Sequence, residues 1–172
     1  MSLDILFIHP NASGKIYQDL NKDHSAIEPP IWAGMLANRC RYKKHNVQVL
    51  DCEVLRLDYK HSVNEIINFN PRIACFVVYG QQPSASSQNM EGAIAVSKIL
   101  KKTKPEIKTL FVGGHVAALP TETLEKENSI DIIALNEGAY SISNLLEVEN
   151  LDDYTYLKKV KGIGFRDEEK KI

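Results

Sequence analysis

The chain has 172 residues, 44% of them apolar and 25% charged, with 21 basic and 22 acidic side chains for a formal net charge of -1. That length suits one cored domain with a terminal appendage, and the composition excludes disordered, collagenous and low-complexity chains. With no excess positive charge and no apolar run near the roughly 20 residues of a bilayer span, neither nucleic acid nor a membrane is expected as a partner. The start, Met1 to Pro10, lacks a basic segment followed by a long apolar one, so a cytoplasmic location is the default expectation. Cys40, Cys52 and Cys75 are odd in number and far apart, which fits neither a disulfide framework nor a metal cluster and predicts reduced packing residues.

Five β-branched apolar runs alternate with segments of helical period: Leu3–His9, Val47–Asp51, Ile73–Tyr79, Thr109–Val112 and Ile130–Leu135. Most are continuously apolar, as strands covered by helices on both faces must be. Pro29 and Pro30 open a first helix whose buried stripe is read as Trp32, Met35, Leu36 and Cys40. His61–Phe69 forms a second, stopped before Pro71. Gln88–Lys102 forms a third, with Lys98, Lys101 and Lys102 toward its C-terminal end, and Leu119–Glu127 and Gly138–Leu146 supply two more. Right-handed crossovers then give an α/β fold, a flavodoxin-like (Rossmann-like) doubly wound five-stranded parallel sheet of order 2-1-3-4-5. Domain limits are expected at 1–148 for the sheet domain and 149–172 for a connector. Within the connector, Leu157–Arg166 and the residues after it read as a short C-terminal hairpin continued elsewhere. The polar stretch Asn11–Glu28 is longer than a mere connection requires.

Ligands of such a sheet bind beyond the carboxyl ends of its strands. The loop after the first strand, His9-Pro10-Asn11-Ala12-Ser13-Gly14-Lys15, has neither the glycine spacing of a dinucleotide fold nor a complete phosphate loop. The first and third strands end in His9-Pro10 and Tyr79-Gly80, without the acidic pocket of a phosphoacceptor, and no G-x-S-x-G elbow is present. What remains at the rim is small or uncharged. Gly80, Gln81, Ser84 and Ser86 lie in an amide- and hydroxyl-rich segment that either contacts a nearly neutral ligand or caps the following helix. Gly113 and Gly114, with His115, make either a close ligand approach or a tight turn. Glu137 and Gly138 precede a helix, where the carboxylate either pairs with the dipole or meets a ligand. His9 and His115 are candidates for metal ligation or proton transfer, or are hydrogen-bonded scaffold. Trp32 is read as core, Arg39-to-Lys44 as a solvated helix end, and Asn11-Ala12-Ser13 as a chance sequon.

Together, ILFIHPN, EPPIWAGMLAN, NPRIACFVV, VGGHVAALPTETL and ALNEGAYSISNLL span almost the whole chain. They resemble the N-terminal cobalamin (vitamin B12)-binding domain of cobalamin-dependent radical S-adenosylmethionine (SAM) enzymes, the group that includes anaerobic magnesium-protoporphyrin IX monomethyl ester cyclase. KGIGFRDEEKKI is similar to the connector that precedes the radical domain there. The resemblance implies cobalamin over the sheet edge, its nucleotide tail threaded between the sheet and flanking helices. It implies a pocket of Pro10, Asn11, Gly80, Gln81, Ser84, Ser86, Gly113, Gly114, His115, Glu137 and Gly138. The Asp-x-His-x-x-Gly motif of methionine-synthase-like relatives is absent, since His9 precedes Gly14 by five positions, so the implied cobalamin is base-off without a histidine ligand. Asn136-Glu137-Gly138-Ala139 stands where the family commonly has Gly-Glu-Gly-Glu. The Cys-x-x-x-Cys-x-x-Cys motif is also missing, so SAM and a 4Fe-4S cluster are expected only in a downstream domain, and this chain alone is not expected to catalyse. Two other readings stay open: a flavodoxin-like FMN-binding domain, with Tyr17 and Tyr79 as the candidate rings, and a cofactor-free regulatory or interaction domain.

Overall fold

The computed structural model describes residues 3–11, 29–80 and 83–172; Gln81, Tyr17 and most of the long loop before Pro29 lie outside the described residues, as does the side chain of Ser84. In chain order the elements are β1 (Leu3–His9), α1 (Ile31–Tyr42), β2 (Val47–Asp51), α2 (Tyr59–Phe69), β3 (Pro71–Val77), α3 (Pro83–Thr103), β4 (Lys108–Val112), α4 (Gly114–Ala118), α5 (Pro120–Lys126), β5 (Ile132–Ala134), α6 (Ala139–Leu145), α7 (Tyr154–Leu157) and β6 (Ile163–Phe165). They build a six-stranded sheet of order β2-β1-β3-β4-β5-β6. The first five strands are parallel, with Ile5 opposite both Val47 and Ile73, Phe76 opposite Phe111 and Val112 opposite Ala134.

The side-chain alternation of a strand explains why both faces are apolar. Leu6, Ile8, Ala74, Phe76, Phe111 and Ile133 point to one face, where Val63 and Ile66 of α2, Met90, Ala93 and Leu100 of α3, and Leu124 of α5 cover them. Ile5, Phe7, Ile73, Cys75, Val77, Leu110 and Val112 point to the other, under Ala33, Leu36, Ala37 and Cys40 of α1 and Ile142 and Leu145 of α6. Each fully buried Ile, Leu or Phe among them contributes about 1.5–3 kcal/mol relative to exposure. The three cysteines are free and buried.

Several local features differ from the sequence expectation. The inward face of α1 is Ala33, Leu36, Ala37 and Cys40, whereas Trp32 and Met35 are 37% and 59% exposed. Two alanines bring the helix axis close to the sheet, and the larger side chains beside them turn outward. α3 starts at Pro83 rather than Gln88, which shortens the loop after β3. The helix expected over Leu119–Glu127 is α5, preceded by the separate turn α4, because Pro120 opens a new helix. Residues 157–166 do not form a hairpin of their own: β6 pairs antiparallel with β5, Ile132 opposite Phe165 and Ala134 opposite Ile163, as a sixth strand of the sheet. The Arg166 guanidinium donates to the carbonyls of Leu124 and Ile130, and the Phe165 ring lies 6.1 Å from that of Tyr154, so side chains as well as backbone hold this strand. The Arg72 guanidinium likewise donates to the carbonyls of Leu146 (2.8 Å) and Val148 (2.9 Å), tying the segment after α6 to β3.

Candidate functional site

The strand order reverses between β1 and β3, since α1 and α6 cover one face of the sheet and α2, α3 and α5 the other. A crevice must open at that point on the carboxyl edge. It does: a cleft of about 260 Å3 lies there between the ends of β1 and β3 and the first turn of α1, lined by His9, Pro30, Ile31, Trp32, Met35, Tyr79 and Gly80 among others. The Trp32 and Tyr79 rings stack at 4.3 Å with an interplanar angle of 20°. Tyr79 is held at both ends, its hydroxyl donating to the Asn136 carbonyl (2.9 Å) and its own carbonyl accepting from Asn89 Nδ2 (3.0 Å). Burial, then the neighbouring charges of Glu137 and Cys75, push its phenol up to about 12.

His9 closes the cleft at the end of β1. Its Nδ1 lies 3.2 Å from Asp51 Oδ1 and its Nε2 3.8 Å from Glu53 Oε2, so both ring nitrogens face carboxylates. Asp51 Oδ1 also accepts from the backbone N–H groups of Glu53 and Val54 at 3.1 Å each, which fixes this acid in the turn after β2. Pro10 is buried beside His9, and Asn11 Nδ2 donates to the Leu57 carbonyl at 3.2 Å.

On the other side of the edge, Ser86, Gly113, Gly114 and His115 come together. The Ser86 hydroxyl is buried, donates to the Val78 carbonyl and accepts the His115 N–H at 3.0 Å. Ser87 Oγ lies 2.9 Å from His115 Nδ1. A Cβ on Gly113 would sit 2.5 Å from the Val78 carbonyl oxygen, whereas one on Gly114 would meet nothing nearer than Ser86 Oγ at 3.6 Å. The first glycine therefore lets β4 close against β3, and the second leaves room. Gly138 has φ +76° and caps α6, a left-handed conformation that a side chain disfavours. Glu137 precedes it, exposed, on the same loop as Asn136.

Of the predicted residues that are described, Gly80 lines the aromatic cleft and Ser86 and Gly113 to His115 form a hydroxyl-bridged cluster, whereas Asn11 turns to the Leu57 carbonyl; Tyr79 links the Gly80 loop to the Asn136–Gly138 loop. Sequence reasoning missed Ile31, Trp32 and Met35 as cleft residues. Their signal was the double proline, which starts α1 at the rim and so sets its first turn beside the site. Among the described residues no group of three or more His, Cys, Asp or Glu side chains is arranged to hold a metal ion, and no helix is long and apolar enough to cross a membrane.

A doubly wound sheet with a partly aromatic carboxyl edge defines an α/β module of the kind whose ligands gather at the strand ends. The chain belongs to the B12-binding domain family, whose model matches residues 22–146. An uncharacterized methyltransferase from Pyrococcus horikoshii is 25% identical over 139 residues, which cover 81% of this chain and 28% of that protein. The radical S-adenosylmethionine methyltransferase TsrM from Kitasatospora setae, solved with cobalamin and a [4Fe-4S] cluster, shares the fold with a TM-score of 0.69 and 16% identity, over 99% of this chain and 30% of that one. The cobalamin-dependent S-adenosylmethionine radical enzyme OxsB, solved with aqua-cobalamin, gives a TM-score of 0.64 at 16% identity, over 99% and 21%. The chain therefore spans less than a third of the length of these relatives.

Proposed function

We propose that this chain is the cobalamin-binding module of a larger radical SAM enzyme, holding the corrinoid over the carboxyl edge of β1, β3, β4 and β5. The observation that carries the reading is the character of that edge in a B12-binding domain: an apolar aromatic cleft on one side and a cluster of hydroxyl, glycine and imidazole groups on the other. The corrin ring has apolar faces and a rim of neutral carboxamides, so both sides of the edge find partners on it. Pro10, Asn11, Gly80, Gln81, Ser84, Ser86, Gly113, Gly114, His115, Glu137 and Gly138 line the pocket in this reading, to which the geometry adds Trp32 and Tyr79.

Bound at this edge, the corrinoid would be base-off, without a protein nitrogen on cobalt. His9 supports this, because both of its ring nitrogens face carboxylates rather than the open edge. When bound, the group supplies a cobalt centre that carries a methyl group or serves the attached radical chemistry. The chain's own residues bind and orient it. Catalysis, with its SAM and 4Fe-4S cluster, belongs to a following domain reached through residues 149–172, which first add β6 to the sheet built by residues 1–148. A cytoplasmic setting accords with three free, buried thiols.

The test is retention. The 172-residue chain is mixed with hydroxocobalamin or FMN, desalted, and its visible spectrum recorded. Retained corrin absorbance is expected. Retained flavin, or neither chromophore, would replace this reading with the flavin-binding or the cofactor-free one. The cobalt(II) form should further show no nitrogen superhyperfine splitting in its electron paramagnetic resonance spectrum, and its presence would put a nitrogen ligand on cobalt.

A further inference from the structure

The first turns of α3 grip His115 at two points. Ser86 accepts its backbone N–H, and Ser87 meets its imidazole at Nδ1, 2.9 Å away. Ser86 has no freedom in this arrangement: the Val78 carbonyl can only accept, so the Ser86 hydrogen goes there and its lone pair takes the His115 N–H. The backbone of residue 115 is thereby fixed against β3, and among the described residues the ring's hydrogen bond is to the exposed Ser87 hydroxyl. A ring whose Nδ1 accepts a hydrogen bond carries its proton on Nε2.

We propose that Ser87 is a positioning residue: it donates its hydroxyl hydrogen to His115 Nδ1, holding the imidazole in the Nε2–H form as an uncharged donor to a carboxamide carbonyl of the bound corrinoid. The inference rests on the corrinoid reading and adds to it a residue, a tautomer and a ligand group. The ligand's carboxamides are neutral, and an uncharged donor pairs with a carbonyl without the desolvation cost that an ion would carry. Ser87 is exposed, so its replacement leaves the core intact and its effect reaches the ligand through the ring.

The experiment has two readouts on the same 172-residue chain. Long-range proton–nitrogen NMR of imidazole-labelled protein at pH 8 reports the His115 tautomer, and a visible-absorbance titration reports the hydroxocobalamin Kd. The wild type should show the Nε2–H form. Ser87→Ala should give a tautomer mixture and weaken binding about three- to tenfold, the value of one hydrogen bond, and Ser87→Thr should restore both. In a His115→Gln background, whose amide donates without help from Nδ1, Ser87→Ala should leave Kd unchanged. A dominant Nδ1–H form in the wild type, or a Ser87→Ala chain with altered tautomer and unaltered Kd, overturns the role of Ser87 alone. A wild-type chain that binds no corrinoid overturns the corrinoid reading and this contact with it.

Discussion

Two adjacent glycines at the end of β4 should respond oppositely to the same added methyl group. A Cβ on Gly113 would lie 2.5 Å from the carbonyl oxygen of Val78, 2.7 Å from its carbonyl carbon and 2.8 Å from its Cγ2. Carbon–oxygen contacts close no nearer than about 3.3 Å, so the backbone of β3 must retreat by most of an ångström. It is poorly placed to do so, because the Val78 N–H donates to the Val112 carbonyl at 2.8 Å and the Val78 carbonyl accepts the buried Ser86 hydroxyl. Overpacking of this kind costs about 1–3 kcal/mol and a disturbed hydrogen bond about 1 more, so Gly113→Ala should destabilise by about 2–4 kcal/mol. For a chain of this size that lowers Tm by about 5–15 °C. Gly114→Ala meets only Ser86 Oγ at 3.6 Å and Ser86 Cβ at 3.7 Å, ordinary contacts, and occupies the first residue of α4, where alanine suits the helix. Its Tm should stay within about 2 °C of wild type. Thermal unfolding followed by far-ultraviolet circular dichroism measures both. Equal midpoints for the two variants would refute the assignment of Gly113 to close strand packing.

Other outcomes follow from the same geometry. Phe76 is fully buried and stacked on Phe111 at 4.8 Å, so Phe76→Ala should cost about 3–5 kcal/mol, read as a lower urea midpoint with an unchanged slope. Trp32 is the only tryptophan and sits half-exposed in the aromatic cleft, so saturating hydroxocobalamin should quench intrinsic fluorescence in proportion to occupancy; unchanged emission after inner-filter correction would place the ligand elsewhere. The Tyr79 phenol, raised from 10.0 to about 12 by burial and then by Glu137 and Cys75, favours the folded state through its protonated form. That contribution is complete below pH 10 and is lost as pH rises from 10 toward 12, so the stability loss across that window should shrink in Tyr79→Phe. Burial raises Cys40 and Cys52 to about 11, against a smaller lowering by Arg39 and Ser62 respectively, and burial followed by Cys40 holds Cys75 well above the ordinary thiol value. The folded chain should therefore resist a thiol reagent at pH 8, with all three cysteines reacting only on unfolding.

What the sequence made legible follows from how its signals arise. β1 and β2 have the bounds read from their apolar runs, Leu3–His9 and Val47–Asp51, because strands buried by helices leave an uninterrupted apolar signature. The orientation of α1 was not legible. Its stripe can be traced through Trp32, Met35, Leu36 and Cys40 or through Ala33, Leu36, Ala37 and Cys40, and hydrophobicity alone prefers the first. Only the distance between helix and sheet, a tertiary quantity, selects the second. β6 is three residues long, too short to show a period, and owes its place to its pairing with Ile132–Ala134 and to the contacts of Arg166. At the candidate site, the glycine pair after β4 was visible as residue types, but their unequal roles depend on Val78, thirty-odd positions earlier. Ser86 reads in sequence as one of several loop serines; its burial becomes evident only when α3 is seen to begin at Pro83.

The two sides of the carboxyl edge make different demands on a ligand, and the difference narrows its chemistry. On the α1 side, Ile31, Trp32, Met35 and Pro30 offer apolar surface, and His9 has both ring nitrogens directed at Asp51 and Glu53. A phosphate lodged there would meet those two carboxylates. On the α3 side, the Ser86 hydroxyl is already engaged by Val78 and His115, which leaves the Ser87 hydroxyl and the His115 ring for an incoming partner. A nucleotide whose affinity depended on its charge would find little to hold at either side. A large ring system with apolar faces and a neutral polar rim can bury the first against Trp32 and pair the second beside His115 at once. That combination of an apolar, aromatic cleft and a hydroxyl-rich cluster, more than any single residue, is why the faces and carboxamide rim of a corrin suit this edge.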